Sequence, residues 1–486
     1  MKEMILNGNH ALNGLVWGPA GLVLLFGAGL WLSVCTGFFQ FTRARHWLKC
    51  TIGAVFTDKT VTARTGRDDK AISQFQSMCT ALAATIGTGN IVGVASAIVC
   101  GGPGAVFWMW VMALLGMMTA YAERVLGIYY RRRGPSGEWV GGAMYYLADG
   151  LGGRLGRILA LLYSGLCAAA AFGVGNIAQV NSIAGNMHAA FGLPPQLTGA
   201  VLLAAAGPVV LGGVKRVAAV AEKLVPVMAL TYILGALVVI GVNYRRVPAA
   251  LAAICSGAFG ARAVGGGVVG YGMKSALVWG FKRGAFSNEA GLGSAVMVSC
   301  AANVTEPVQQ GMWGIFEVFA DTLVMCSLTA LVVLSSGLVD LQTGVVTADA
   351  AASTLVGAAF GTVFGRFGPV FIAAAVLLFA FSTLLGWSHY GAAAFAYLAG
   401  GRLARGYRLA FVVMIYFSAT MSLQHAWDIA DTLNGLMMLP NLMGVLALSG
   451  LVVNMTQNYI DRTLRGRTVP PMWSAFEEEL PQKKIG

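Results

Sequence analysis

Apolar runs of roughly 20 residues, enough for a helix to cross about 30 Å of hydrocarbon, recur along the whole chain. With that length as the ruler, about eleven membrane helices are predicted, near 15–39, 73–99, 103–128, 157–186, 196–213, 217–242, 264–300, 308–337, 367–397, 406–421 and 431–455. The second run breaks the uniform apolar pattern. Its residues Ala84–Gly93 read ATIGTGNIVG, with three glycines, two threonines and an asparagine. Glycine costs about 1 kcal/mol relative to alanine inside a helix, so a break is predicted there. Backbone groups freed at mid-bilayer depth are tolerated only where they are buried in protein or line a polar cavity. Carriers hold substrate and coupling ions at such breaks.

The seventh run is interrupted as well, by GGGVVGYG (Gly265–Gly272) and then GFKRGAFSNEAGLGSA (Gly280–Ala295). With the first run set aside, ten remain as two sets of five, and an interrupted run leads each set. An odd number of spans per repeat puts the two halves in opposite orientation, the inverted arrangement of many carriers. The expected architecture is an all-α polytopic membrane protein. An accessory N-terminal helix falls in 1–40, a five-helix repeat in 73–242, a second and inverted repeat in 264–455, and a cytoplasmic tail in 456–486.

Composition agrees with the membrane class: 57% of residues are hydrophobic and 11% charged, far from soluble averages. A net charge of +12 by itself would admit a nucleic-acid partner. Its placement excludes that reading, because the basic residues crowd into alternate loops. They fall at 43–70, at Arg131–Arg133, at Lys215 and Arg216, at Arg402, Arg405 and Arg408, and at Arg462, Arg465 and Arg467. This is the positive-inside distribution. It predicts a multi-pass protein of the cell (inner or plasma) membrane with its N-terminus outside and its C-terminus in the cytoplasm. Arg245, Arg246 and Arg262 fall on the outer side against the rule. The 65 glycines read as close helix packing. Eight cysteines stand singly without metal spacing, and no cleavable leader is expected ahead of the first run.

The candidate chemistry gathers at the breaks. In the first, Thr85, Thr88 and Asn90 offer polar side chains, and Gly87 and Gly89 expose backbone. N–H groups opening the outer half-helix suit a carboxylate; carbonyls closing the inner half suit Na+. In the fourth run Asn176, Gln179 and Asn186 lie within about 80° of one another at helical spacing, and Asn181 lies opposite. Such a stripe forms either a polar cavity wall or interhelical hydrogen bonds. In FAFSTLLGWSHY (Phe379–Tyr390), Ser382 and Thr383 would ordinarily bond back to their own helix, but beside a broken helix they complement freed carbonyls around a cation. Trp279 is the aromatic residue expected to close the cavity. Intramembrane carboxylates are functional by default. Glu289, near Lys282 and Arg283, reads as a gate brace or a coupling residue, and Glu317 with Asp321 keeps proton coupling open. His389 reads as a packing histidine. A channel lacks its filter motif or charge ring here, and an enzyme lacks any metal spacing, nucleophile elbow or phosphate loop.

Long segments of the chain resemble the alanine or glycine:cation symporter family. They are CTALAATIGTGNIVGVASAIVCGGPGAVFWMW (Cys79–Trp110), AFGVGNIAQVNSIA (Ala171–Ala184), KRGAFSNEAGLGSA (Lys282–Ala295), FADTLVMCSLTALVVLSSG (Phe319–Gly337), GWSHYG (Gly386–Gly391) and WDIADTLNGLMMLPNL (Trp427–Leu442). The resemblance implies a leucine-transporter-type 5+5 inverted repeat with one extra N-terminal helix, and Na+-coupled uptake of alanine, glycine or similar small amino acids. It implies substrate contacts at Thr85, Gly87, Thr88, Gly89, Asn90, Asn176 and Gln179, and in Gly270–Trp279. It places Na+ among the carbonyls of Ala83, Ala84 and Gly87 with Ser382 and Thr383. Two positions depart from the family pattern: Val296, where a proline is usual, and Glu317, where an uncharged residue is expected.

Overall fold

Ser73 opens the first interrupted span. Its Oγ accepts the Gln76 amide hydrogen at 3.0 Å, and Gln76 Oε1 accepts the Ser73 amide hydrogen at 3.2 Å. This capping box satisfies two of the donors that a helix start leaves unpaired. The computed structural model describes residues 2–62, 71–135, 137–259, 266–342, 344–347, 351–421 and 423–476.

Two N-terminal helices, α1 (Lys2–Val16) and α2 (Pro19–Cys35), precede the interrupted pair α3 (Gln74–Thr85) and α4 (Gly89–Gly101), which bend by 48° at their junction. Then follow α5 (Gly104–Tyr129), α6 (Gly153–Phe191), α7 (Pro195–Leu211), α8 (Val214–Val242) and the short α9 (Val247–Ala258). The second half contains α10 (Gly266–Asn288), α11 (Pro307–Ser335), the short α12 (Leu355–Phe364), α13 (Phe367–Ala399), α14 (Leu403–Ser418), α15 (Leu423–Ala447) and α16 (Ser449–Tyr459). One small hairpin pairs Arg132–Arg133 with Trp139–Val140. Among the described residues seven helices are long and apolar enough to cross a membrane, or eight with the bent pair. Helices α7, α10 and α14 occupy the three remaining expected spans.

The last helix differs from expectation. The span expected over 431–455 ends at Ala447, and Leu448 interrupts it. In α16, Val452, Met455, Thr456 and Tyr459 are buried while Asn454 and Gln457 are exposed. That i, i+3, i+4, i+7 stripe is a surface helix docked by one face.

The second interruption is narrower than expected. Residues 266–272, expected to be broken, lie in the continuous helix α10. The break falls within the second expected segment, at Glu289–Ala295, ahead of a single turn, Val296–Ser299. Glycine's helix cost of about 1 kcal/mol is smaller than the several kcal/mol of an unpaired backbone group in hydrocarbon. A glycine run therefore stays helical unless other groups take over its backbone partners. At Glu289–Ala295 they do. Ala290 N–H donates to Asn288 Oδ1 at 3.0 Å, and Gly293 N–H to Glu123 Oε1 at 3.1 Å. Asn441 Nδ2 donates to the Gly291 carbonyl at 2.8 Å, and Tyr163 OH to that of Leu292 at 3.0 Å.

The long helix α13 packs against α3, α6 and α8. Small residues set its closest approach: a Cβ on Gly386 would lie 2.7 Å from Ala84 Cβ. This contact holds Thr383, one turn earlier, against the α3–α4 break.

Candidate functional site

At the first break the backbone trades intrahelical partners for side chains. In an unbroken helix the amide hydrogens of Gly87 and Thr88 would reach the carbonyls of Ala83 and Ala84. Here Gly87 N–H donates to Asn90 Oδ1 at 2.9 Å, and Thr88 N–H to Gln179 Oε1 at 3.2 Å. Thr383 Oγ1 lies 3.0 Å from the Ala83 carbonyl oxygen and 3.5 Å from that of Ile86. The Thr88 hydroxyl is fully buried and has no hydrogen-bond partner among the described residues. The site is tight. A Cβ on Gly87 would overlap Thr383 Oγ1 and sit 3.2 Å from Gln179 Oε1, and a Cβ on Gly89 would lie 3.0 Å from Ser287 Cα. That last contact brings the two interrupted spans together.

The structure gathers Ala83, Gly87, Thr88, Asn90, Gln179 and Thr383 at one point, with Ile86 added. Thr85 Oγ1 bonds back to Ala81 at 3.2 Å. Ser382 turns aside, its hydroxyl donating to the Phe379 carbonyl at 2.8 Å and facing Met228 Sδ at 3.6 Å. Asn176 also points elsewhere. Its Nδ2 donates to the Phe411 carbonyl at 2.8 Å, and its Oδ1 accepts from Ser418 Oγ at 2.9 Å, so it braces α6 to α14. Asn186 donates to its own helix at Ser182. The stripe is split because Ala171–Ile177 is π-helical. Its wider turns abandon the 100° step on which Asn176 and Gln179 would share a face.

On α10, Gly270 lies within the helix, and Trp279 lies three turns before the break. The Trp279 ring is 5.1 Å from both Lys282 Nζ and Arg283 Cζ. These cations hold Asp431 of α15: Arg283 pairs bidentately at 3.0 and 3.1 Å, and Lys282 at 2.8 Å. Phe286 packs on Trp427 with ring centroids 4.7 Å apart.

The three gate or coupling carboxylates have separate partners. Glu289 sits at φ 56; Trp387 Nε1 donates to it at 2.7 Å and Ser294 Oγ at 2.5 Å. Glu317 pairs with Arg124, whose guanidinium also donates to the Ala120 carbonyl. Asp321 accepts from Asn90 Nδ2 at 2.7 Å, Ser287 Oγ at 2.8 Å and Thr322 Oγ1 at 2.8 Å. Glu317 and Asp321 lie about one turn apart on α11 and take separate partners, Arg124 for the first and Asn90, Ser287 and Thr322 for the second. Val296 fills the notch left by Gly127. The sequence reading did not single out Ser287, Thr322, Tyr163 or Asn441. For Ser287 the signal was its place directly before Asn288 and Glu289 in the interrupted run.

The sodium:alanine symporter family profile matches residues 2–472. The chain belongs to that family. Among the relatives of this sodium:alanine symporter family member, the sodium/alanine symporter AgcS of Methanococcus maripaludis is 43% identical over 451 residues, 93% of this chain and 96% of the relative. The putative sodium/proton-dependent alanine carrier protein YrbD of Bacillus subtilis is 35% identical, covering 90% and 89%. The crystal structure of MhsT in complex with L-phenylalanine superposes with a TM-score of 0.52 at 12% identity, over 81% of this chain and 99% of that one. The likeness is one of fold, the leucine-transporter type. This family member is a multi-pass membrane transporter and not an enzyme.

Proposed function

We propose that the protein is a Na+-coupled symporter that brings small neutral amino acids, alanine and glycine first, into the cell. The observation that carries this reading is the exchange of backbone partners at the first break. Carbonyl oxygens of Ala83 and Ile86 face the Thr383 hydroxyl, a set of hard oxygen donors suited to Na+. On the other side, Thr88 N–H and Gln179 meet, near the Thr88 hydroxyl that lacks a partner. An amino acid carboxylate is held there by amide hydrogens at the start of α4, aided by the helix dipole. Its ammonium is held by the Gln179 carbonyl oxygen. Selection for small side chains follows from the close approaches at Gly87 and Gly89.

Transport proceeds by movement of the interrupted spans against the rest of the bundle. Na+ drives accumulation because it binds one conformation better than the other. The loop charges support an orientation with the N-terminus outside and the C-terminus in the cytoplasm. Proton coupling is the alternative, and it falls to Asp321. Glu317 is neutralised by Arg124, and Glu289 is held by Trp387 and Ser294.

The experiment is uptake of radiolabelled alanine into proteoliposomes, with and without an inward Na+ gradient at fixed pH and voltage. Accumulation only with the Na+ gradient supports the proposal. Accumulation driven by a pH step and indifferent to Na+ overturns the ion. No alanine accumulation in either condition by folded protein overturns the substrate.

A further inference from the structure

Helix α8 meets the rest of the bundle with one face only. Val217, Ala218, Ala221, Val225 and Met228 bury that side, which packs on α3 and α13. The other side is apolar and open, with Val227, Leu230, Leu234 and Leu237 exposed. From Val225 to Val242 no residue is charged. At 1.5 Å per residue that run is about 27 Å long, close to the hydrocarbon thickness of about 30 Å. The earlier turns of α8, from Val214, therefore stand at the headgroup level of the bilayer. In the orientation proposed above, that is the cytoplasmic leaflet.

A groove of about 590 Å³ opens there, lined by Val209 of α7 and by Arg216, Val220, Lys223, Leu224 and Val227 of α8. At 100° per residue Arg216, Val220, Lys223 and Val227 fall within about 40° of one another, so two cations and an apolar strip share one face. Neither cation has an acidic partner among the described residues. Arg216 donates to the Pro208 carbonyl at 3.1 Å, one use of a group with five donors. The acid beside Lys223, Glu222, is turned inward to Gln76 of α3. Arg408 of α14 adds charge at the same level, since a Cβ on Gly213 would lie 3.5 Å from its Nη1. The opening turn of α8 also carries the positive end of the helix dipole.

We propose that this groove binds an anionic phospholipid, its phosphate diester held by Arg216 and Lys223 and an acyl chain laid along Val220, Leu224 and Val227. Basic pockets between membrane helices recognise such headgroups. A soluble anion leaves the apolar strip uncovered, and a soluble protein does not reach below the headgroups; a phospholipid fits both parts. The bound lipid steadies the first turns of α8, to which Glu222 and Gln76 tether the start of α3 and so the first interrupted span. The site is independent of the ion and the substrate carried.

The test is native mass spectrometry of the purified full-length protein with phosphatidylglycerol or with phosphatidylcholine of the same chains. Wild type is expected to prefer phosphatidylglycerol by about 25-fold, about fivefold for each of two cations at the surface. Arg216→Gln and Lys223→Gln should each lose about fivefold. Both positions are exposed, and size exclusion checks that the variants fold. Arg154→Gln removes an exposed cation at the start of α6 and should change the preference by less than about twofold. Ala219→Phe keeps both charges and fills the groove. It should weaken phosphatidylglycerol binding about tenfold, the scale of about two methylene groups. Three results overturn the site: equal binding of the two lipids by wild type, a loss in Arg154→Gln as large as in Lys223→Gln, or soluble glycerol 3-phosphate bound as tightly as phosphatidylglycerol. None of them touches Na+-coupled symport, which the uptake experiment decides separately.

Discussion

The two interrupted spans solve one physical problem in opposite ways. Each must satisfy backbone groups freed from a helix in a medium without water. At Glu289–Ala295 those groups go to fixed partners reaching in from other helices: Glu123, Asn441 and Tyr163, with Glu289 itself tied to Trp387. At Ile86–Thr88 they go to neutral amides and a hydroxyl, Asn90, Gln179 and Thr383, and one hydroxyl stays unpaired. A break closed by charge and aromatic bulk is locked. A break closed by neutral, exchangeable donors and acceptors is where a ligand can take the place of a side chain. In the proposed function, the second break serves stability and the first serves binding.

Substitutions that separate these roles test the contrast most strongly. Gly87→Ala forces the Thr383 hydroxyl off the Ala83 carbonyl. Alanine uptake should fall by about 100-fold or more, the scale of about 3 kcal/mol, while the melting temperature in detergent stays within a few degrees. A fall in melting temperature matching the lost uptake would erase the distinction. At the locked break, Glu123→Ala leaves the Gly293 amide hydrogen unpaired and removes one of the hydrogen bonds of Asn441 Nδ2, which keeps the Gly291 carbonyl. The expected loss is about 2 kcal/mol of stability, read by thermal unfolding, and Glu123→Gln should recover part of it through its carbonyl oxygen.

Gln179→Leu tests the middle of the range. Removing the acceptor for Thr88 N–H should weaken alanine binding about tenfold, measured as the half-saturating alanine concentration at constant Na+. Asn176→Ala gives the smallest expected effect on transport. It should cost about 1 kcal/mol of stability through the lost contacts to Phe411 and Ser418, with half-saturating alanine changed by less than about twofold. An affinity loss as large as that of Gln179→Leu would return Asn176 to the binding wall.

Much of the helical framework was legible because hydrocarbon leaves few solutions for a backbone. The apolar runs located the crossing helices, and ATIGTGNIVG located the first break to within a few residues. The second break was bracketed too widely, with Gly266–Gly272 staying helical, because a glycine run marks only where a helix is weak. Whether it opens depends on partners such as Glu123 and Asn441, which are remote in sequence. The amide stripe of α6 was split for a different reason. It was read at a uniform 100° per residue, and it contains π-helical turns that rotate Asn176 away from Gln179.

The sequence by itself determined a polytopic helical membrane protein with an interrupted second span, the family to which it belongs, and the residue types able to meet an amino acid and a cation. Periodicity, span length and charge placement are local properties, and a local reading recovers them. Only the tertiary structure decided which of those polar residues meet. The approach of Gly386 to Ala84 sets Thr383 on the freed carbonyls, and the approach of Ser287 to Gly89 sets Asp321 between both breaks. Each depends on contacts between residues some 200 to 300 positions apart, for which no local pattern in the chain carries a signal.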